Sequence, residues 1–142
     1  MNLDSLSKYA PVALAVLRIV TALLFLEHGT QKLFDFPPSE HHVTGGLPPM
    51  VLFEGLIETI GGLLVLIGLF TRYAAFIMSG EMAVAFWTAH VPHAGSIFPI
   101  VNGGGEAVLY CFIFLYFFFA GAGLWSVDAI RSRGGQAADA RG

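Results

Sequence analysis

The sequence carries little charge: Asp, Glu, Lys and Arg make up 12% of its 142 residues, and the formal net charge is −3. A soluble domain has roughly 25% charged residues, so this chain cannot cover a water-facing surface with polar groups. Nucleic-acid binding requires a basic patch, which the acidic balance argues against. The low charge therefore excludes a soluble globular domain, a disordered chain and a nucleic-acid binder.

Cysteine is almost absent, since Cys111 is the single one. A thiol–disulfide relay needs two thiols, so the chain is not a self-contained disulfide exchanger. It also lacks a P-loop, a dinucleotide glycine motif and a Ser/His/Asp set. The pairs His41–His42 and His90–His93 have no evident carboxylate or thiolate partner. A metal site needs three or four ligands in fixed geometry, so we predict none.

Apolar residues, in contrast, make up 56% of the chain. Crossing a hydrocarbon core of about 30 Å takes about 20 residues, and four stretches approach that length: 11–33, 49–70, 72–89 and 104–124. Backbone groups in lipid must be satisfied internally, which predicts helices. We therefore expect an all-α integral membrane four-helix bundle, up-down-up-down, over residues 11–130. A short N-terminal segment, 1–10, precedes it, and a flexible tail, 131–142, follows it.

Basic residues in the connections predict the orientation. With four spans, one side of the membrane holds Lys8, Arg72, Arg131, Arg133 and Arg141, whereas the other holds only Lys32. Cytoplasmic loops carry the excess of Lys and Arg. We therefore expect both termini in the cytoplasm and a multi-pass protein of the bacterial plasma membrane.

Charges inside the spans are the informative residues. Each costs roughly 2.5–3.5 kcal/mol near a helix centre, so it should face the bundle interior and find a partner. At 1.5 Å per residue, Arg18, Glu58 and Glu81 lie at similar depth. We predict that Arg18 pairs with Glu58, Glu81 or both. The alternative to a ligand site is a buried ion pair that only fixes helix register.

A second polar set is predicted at the outer mouth of the bundle. His28 and Lys32 lie four residues apart at the end of the first span, and Glu54 precedes Glu58 by four, which places each pair on one helix face. The full set is His28, Lys32, Glu54, His90, Asn102 and Glu106. These side chains would rim a pocket for a polar head group. The alternative is ordinary polarity at span ends.

The spacing of charged residues suggests an internal repeat. Nine residues separate Arg18 from Glu27, and nine separate Arg72 from Glu81. Such a repeat would suit two helix pairs related by pseudo-symmetry. One matching spacing also arises by chance, so the sequence alone does not establish a duplication.

Ordered motifs along residues 14–130 resemble the DoxX/DoxD-like family of four-span membrane proteins. The first span has Arg18 and ends in the run His-Gly-Thr-Gln-Lys-Leu at 28–33. Further matches are Glu54, Glu58, Gly61, Gly62, Leu66, Gly68, Thr71, Arg72, His90 and the runs 102–106 and 121–128. The chain departs from the family in having three glycines before Glu106, and Ala122 where proline is common.

The resemblance implies a membrane subunit of a quinone-linked oxidoreductase, similar to that of thiosulfate:quinone oxidoreductase and related to thiol, sulfur or oxidative-stress chemistry. It implies a quinone as cofactor, and as partner an oxidoreductase subunit or a second copy of the chain. Because the sequence shows no redox centre of its own, electron transfer would need that partner or the quinone. Two alternatives stay open: a non-catalytic scaffold or assembly protein, and a small proton-coupled transporter that uses Glu58 and Glu81.

Overall fold

The computed structural model describes residues 3–39 and 46–139. Within these ranges every regular element is a helix. The His41–His42 pair lies outside the described residues. The all-helical fold class that the sequence predicts is confirmed for the residues that the structure describes.

A short 3-10 helix, Leu3–Tyr9, leads into seven α-helices in the described ranges. They are α1 (Ala10–Phe34), α2 (Pro49–Ile67), α3 (Thr71–Ala85), α4 (Val91–Ala94), α5 (Pro99–Asn102), α6 (Gly105–Ala120) and α7 (Val127–Asp139). A π-helical segment, Phe86–His90, joins α3 to α4 without a break. The helices Leu3–Phe34, Pro49–Ile67 and Thr71–Ala94 are long and apolar enough to cross a membrane, and α6 is apolar but shorter.

The fourth predicted span, 104–124, corresponds to α6, which ends earlier than the sequence predicts. We expected it to reach residue 124, but α6 stops at Ala120 because Gly121 adopts φ 82° and ψ −167°, a conformation that only glycine adopts at little cost. Its 16 residues rise about 24 Å. Residues 121–126 then fold back against the bundle. The helix α7 that follows was not predicted from the sequence, and the flexibility expected from residue 131 onward stays a prediction.

Helix packing is closest where glycines lie between neighbouring helices. α1 packs mainly on α2, and α3 mainly on α6. A Cβ added to Gly29 of α1 would lie 2.5 Å from Thr59 Oγ1 of α2, so a side chain there would force the helices apart. α1 and α6, in contrast, meet through large rings: Phe25 lies 4.8 Å from Phe114 and 5.1 Å from Tyr110, centroid to centroid. The inner side of the contact between α1 and α6 is thus filled by aromatic rings.

The two helix pairs share a pattern of arginine bonds. Arg18 of α1 donates to two carbonyls in the last turn of α2, 47 and 48 residues along the chain. Arg72 of α3 donates to two carbonyls in the last turn of α6, 46 and 47 residues along. Each partner helix ends at a glycine with positive φ, Gly68 or Gly121. The nine-residue spacing that occurs twice in the sequence thus coincides with a structural repeat of two similar helical hairpins, α1–α2 and α3–α6.

Candidate functional site

Arg18 is fully buried, and every N–H of its guanidinium points at a backbone carbonyl. Nε donates to Ala122 O at 2.8 Å, Nη1 to Val65 O and Leu66 O, and Nη2 to Leu124 O and Trp125 O. A guanidinium has five N–H donors, so five acceptors account for all of them. Carbonyls at helix C-termini carry partial negative charge, and they balance the cation here.

The predicted pairing of Arg18 with Glu58 or Glu81 is therefore wrong. The carbonyls that replace those carboxylates come from the last turn of α2 and from the non-helical segment after α6. Neither source is visible as a charge in the sequence. These contacts hold helix ends together, which agrees with the alternative that Arg18 only fixes the helix register. We call this end of the bundle the Arg18 end.

Asp128 completes the Arg18 end. Its carboxylate accepts hydrogen bonds from the backbone N–H groups of Phe70 and Thr71, both at 3.0 Å, at the start of α3. Its own N–H donates to Gly68 O at 2.9 Å. A carboxylate at a helix N-terminus satisfies free donors and complements the helix dipole. Asp128 therefore fixes the turn between α2 and α3 against the chain that follows α6.

Lys32 is the centre of an ion cluster at the opposite end of α1, which we call the Lys32 end. Its Nζ lies 2.8 Å from Glu58 Oε1 and 3.1 Å from Glu54 Oε2. Glu58 is buried where α1 and α2 approach at Gly29. Lys32 and Glu54, which the sequence places in one set, lie together, and Glu58, which the sequence assigns to Arg18, joins them. Lys32 offsets the cost of burying Glu58.

Glu81 of α3 has no such partner. A Cβ on Gly61 would be 2.5 Å from Met78 Sδ, so α2 and α3 touch there. Glu58 of α2 and Glu81 of α3 each lie one helical turn from that contact, in the direction of the Lys32 end. The two side chains therefore face each other, close enough to interact electrostatically. Both carboxyl oxygens of Glu81, and Oε2 of Glu58, are buried without a hydrogen-bond partner among the described residues.

Replacing Glu81 by methionine is expected to stabilise the protein. The substitution removes a buried carboxyl that makes no hydrogen bond, and a group of this kind costs about 1–3 kcal/mol. The matched substitution Glu58→Met removes a partner of Lys32 and is expected to destabilise. Denaturant titration of the purified protein in mixed micelles measures both. If Glu81→Met lowered the free energy of unfolding as much as Glu58→Met, the carboxyl of Glu81 would have a partner after all.

A cavity of about 190 Å³ opens beside this cluster, between α1, α2, α3, α6 and the segment that follows α3. Its lining combines polar and apolar residues, and consists of Phe25, His28, Glu58, Met82, Ala85, His90, Gly103, Glu106, Ala107 and Tyr110. Four of the predicted residues, His28, Glu58, His90 and Glu106, thus meet here. We call this space the head-group cavity.

The other predicted residues lie around the cavity or away from it. Lys32 and Glu54 do not line it: Lys32 binds Glu58, and Glu54 binds Lys32. Asn102 is buried in the connection before α6, where its Nδ2 donates to Ser96 O and its Oδ1 accepts from Gly104 N. Its side chain shapes the turn and is not part of the lining. Arg18 lies at the other end of the bundle, and Glu81 lies behind Glu58.

The two histidines of the cavity are held by backbone carbonyls. Nδ1 of His28 lies 2.9 Å from Leu24 O, and Nδ1 of His90 lies 3.3 Å from Asn102 O. A carbonyl only accepts, so Nδ1 is the donor in each of these contacts, and Nε2 is the ring atom that faces other partners. Nε2 of His28 lies 3.6 Å from Glu106 Oε2.

Sequence reasoning missed the aromatic and sulfur-containing wall of the cavity. Tyr110 lies four residues after Glu106 on α6 and packs edge-on against His28, at 5.9 Å between ring centroids. That spacing of four was the available signal, because it puts Tyr110 and Glu106 on one helix face. Phe25 lies three residues before His28 and so shares its face of α1, whereas Met82 gave no signal, since apolar residues fill every face of a membrane helix.

These observations define the class of protein: a helical membrane protein with a polar cavity near one end of its bundle. The DoxX family model matches residues 13–91, and the chain belongs to the DoxX family. It is 49% identical over 128 residues to an uncharacterized protein of Haemophilus influenzae, covering 89% of this chain and 96% of the relative. It is 30% identical over 148 residues to an uncharacterized membrane protein of Mycobacterium tuberculosis, covering 92% and 88%. No solved structure matches the chain.

Proposed function

We propose that this protein binds the head group of a quinone in the head-group cavity and serves as the membrane subunit of a quinone-linked oxidoreductase. In this proposal it is a multi-pass protein of the bacterial plasma membrane with both termini in the cytoplasm. The observation that carries the proposal is the convergence of His28, Glu58, His90, Glu106 and Tyr110 on one small cavity within an apolar bundle.

The chemistry of the lining suits a quinone ring. A quinone presents two carbonyl acceptors on a flat apolar ring, and Tyr110 supplies a hydroxyl donor while the histidines supply imidazoles. Carboxyl groups such as Glu58 and Glu106 can exchange protons with a bound head group. Phe25 and Met82 provide apolar surface for the ring faces.

The size of the cavity limits its occupant. Pockets for drug-sized ligands measure about 300–1,000 Å³, whereas this one measures about 190 Å³. It therefore fits a single ring and not a larger cofactor. The sequence has no flavin motif and no cysteine pair, so the electrons would come from a partner subunit, for which the DoxX resemblance suggests thiol or sulfur chemistry.

The test is a thermal-shift titration of the purified protein in nanodiscs free of quinone. A short-chain ubiquinone and a short-chain menaquinone are the probes. A ligand at 100 times its Kd stabilises the folded state by about 2.7 kcal/mol, so at least one probe is expected to raise the Tm of the wild type. Glu106→Gln and Tyr110→Phe are expected to reduce the shift.

Glu27→Gln is the matched control, because Glu27 is exposed on α1 and does not line the cavity. It should keep the full shift. If neither probe moved the Tm of the wild type, or if Glu106→Gln and Tyr110→Phe kept the whole shift, the quinone proposal would be contradicted. The non-catalytic scaffold would then be favoured.

A further inference from the structure

We infer that a groove on the lipid-facing seam between α1 and α6 binds the apolar tail of the molecule whose head group occupies the cavity. The inference rests on the proposed function and extends it, because it assigns the ligand class as a head-and-tail molecule that enters sideways from the bilayer. The groove measures about 260 Å³ and is lined by Thr21, Leu24, Glu106, Leu109, Tyr110 and Ile113.

Two antiparallel stripes of side chains form the groove. His28 of α1 faces Glu106 of α6, and Phe25 faces Phe114, so the two helices run in opposite directions. Thr21 and Leu24 lie one turn apart on α1, and Glu106, Tyr110 and Ile113 lie about one turn apart on α6. Apart from Thr21, Tyr110 and Glu106 the walls are aliphatic, as an apolar chain requires.

The groove adjoins the head-group cavity. Glu106 and Tyr110 line both spaces. His28 stands at the junction, 3.6 Å from Glu106 by its Nε2 atom and 5.9 Å from Tyr110 between ring centroids. A ligand that spans both spaces would therefore contact Glu106 and Tyr110. The two volumes together also reach the range of ordinary ligand pockets.

The dimensions select one hydrocarbon chain as the occupant. From Glu106 to Ile113 the groove follows α6 for about 10 Å. A groove of that length with a volume of about 260 Å³ is far narrower than a helix, whose diameter with side chains is about 10–12 Å. A second protein helix therefore cannot enter it, whereas a single isoprenoid or acyl chain can.

Photo-crosslinking tests the groove directly. The probe is a short-chain quinone with a diazirine on the first isoprene unit, added to the wild-type protein in nanodiscs and mapped by mass spectrometry. Label is expected on the segments of α1 and α6 that line the groove, and an excess of tail-less quinone should compete it away. Label spread evenly over all lipid-facing helices would overturn the inference.

Matched tryptophan variants separate filling of the groove from a general surface effect. Leu24→Trp and Leu109→Trp place a large ring in the groove and are expected to lower labelling there about tenfold, equivalent to about 1.4 kcal/mol. Their controls are Leu23→Trp and Phe112→Trp, which lie outside it: Leu23 and Leu24 are 46% and 47% exposed, and Phe112 and Leu109 are both 65% exposed. The controls should label like the wild type.

Binding of tail-less quinone distinguishes the two possible failures. All four tryptophan variants should bind it as the wild type does, because the head-group cavity is unchanged. If tail-less quinone binds the wild type but labelling ignores the groove, only the groove assignment fails. If tail-less quinone does not bind the wild type at all, the quinone proposal itself fails. Labelling of the groove that tail-less quinone cannot displace would assign it to ordinary lipid chains and contradict the inference.

Discussion

Replacing Arg18 by methionine is expected to lower the free energy of unfolding by about 3–5 kcal/mol, the cost of breaking a buried charge network from one side. The substitution removes the arginine donor from five carbonyl oxygens. Val65 O keeps the N–H of Gly68, and each buried oxygen that is left unsatisfied costs about 1–3 kcal/mol. Total stabilities are about 5–15 kcal/mol, so a large share of the stability would be lost.

Arg18→Lys should fall between the wild type and Arg18→Met, because an ammonium has three donors and cannot fork toward two helix ends. Unfolding by denaturant in mixed micelles measures the series. Arg131→Met is the control, since Arg131 is exposed and contacts only the ring of Phe70 at 5.0 Å in a cation–π arrangement; it should change little. An Arg18→Met protein that unfolded like Arg131→Met would show that the carbonyl network contributes nothing to stability.

Replacing Lys32 by methionine is expected to have a comparable effect at the other end of the bundle. Glu58 would lose its partner at 2.8 Å and Glu54 its partner at 3.1 Å, while Glu81 already lies nearby without one. A buried carboxylate left without its cation costs about 3–5 kcal/mol. The free energy of unfolding is expected to fall by that amount.

A compensating variant makes this second prediction sharp. The triple substitution Lys32→Met, Glu54→Gln and Glu58→Met removes the whole cluster and should recover most of the lost stability, because replacing all members of a buried ion network by uncharged groups is often neutral. The same micelle titration compares the single and triple variants. Recovery would show that the charges, and not lost packing, cause the defect. A triple variant as unstable as the single one would contradict the ion-cluster interpretation.

The sequence predicted the helices well because their cause is local. Runs of apolar residues long enough to reach across lipid have to become helices, and α1, α2 and the helix from Thr71 to Ala94 follow from this rule. The end of α6 could not be predicted in the same way. A single glycine, Gly121, stops it, and nothing in its neighbours distinguishes it from glycines that continue a helix, such as Gly61 and Gly62.

The candidate site was predicted only in part, and the reason is the same for each miss. Sequence arguments match ionisable side chains with one another, so they found the Lys32 cluster and the acidic and imidazole lining of the cavity. They cannot see backbone carbonyls, which took the place of the expected partners of Arg18. Nor can they see which apolar side chains, such as Met82, turn inward. Partners supplied by the main chain depend on tertiary structure.

The shortness of α6 affects the lipid around the protein. Its rise of about 24 Å falls short of a hydrocarbon core of about 30 Å, whereas α1 continues for 25 residues. Bilayers adjust to such hydrophobic mismatch by local thinning. Water and lipid phosphates would then approach Glu106 more closely beside α6 than elsewhere around the molecule. We therefore expect membrane thickness, and with it lipid composition, to affect how readily the proposed ligand reaches the head-group cavity.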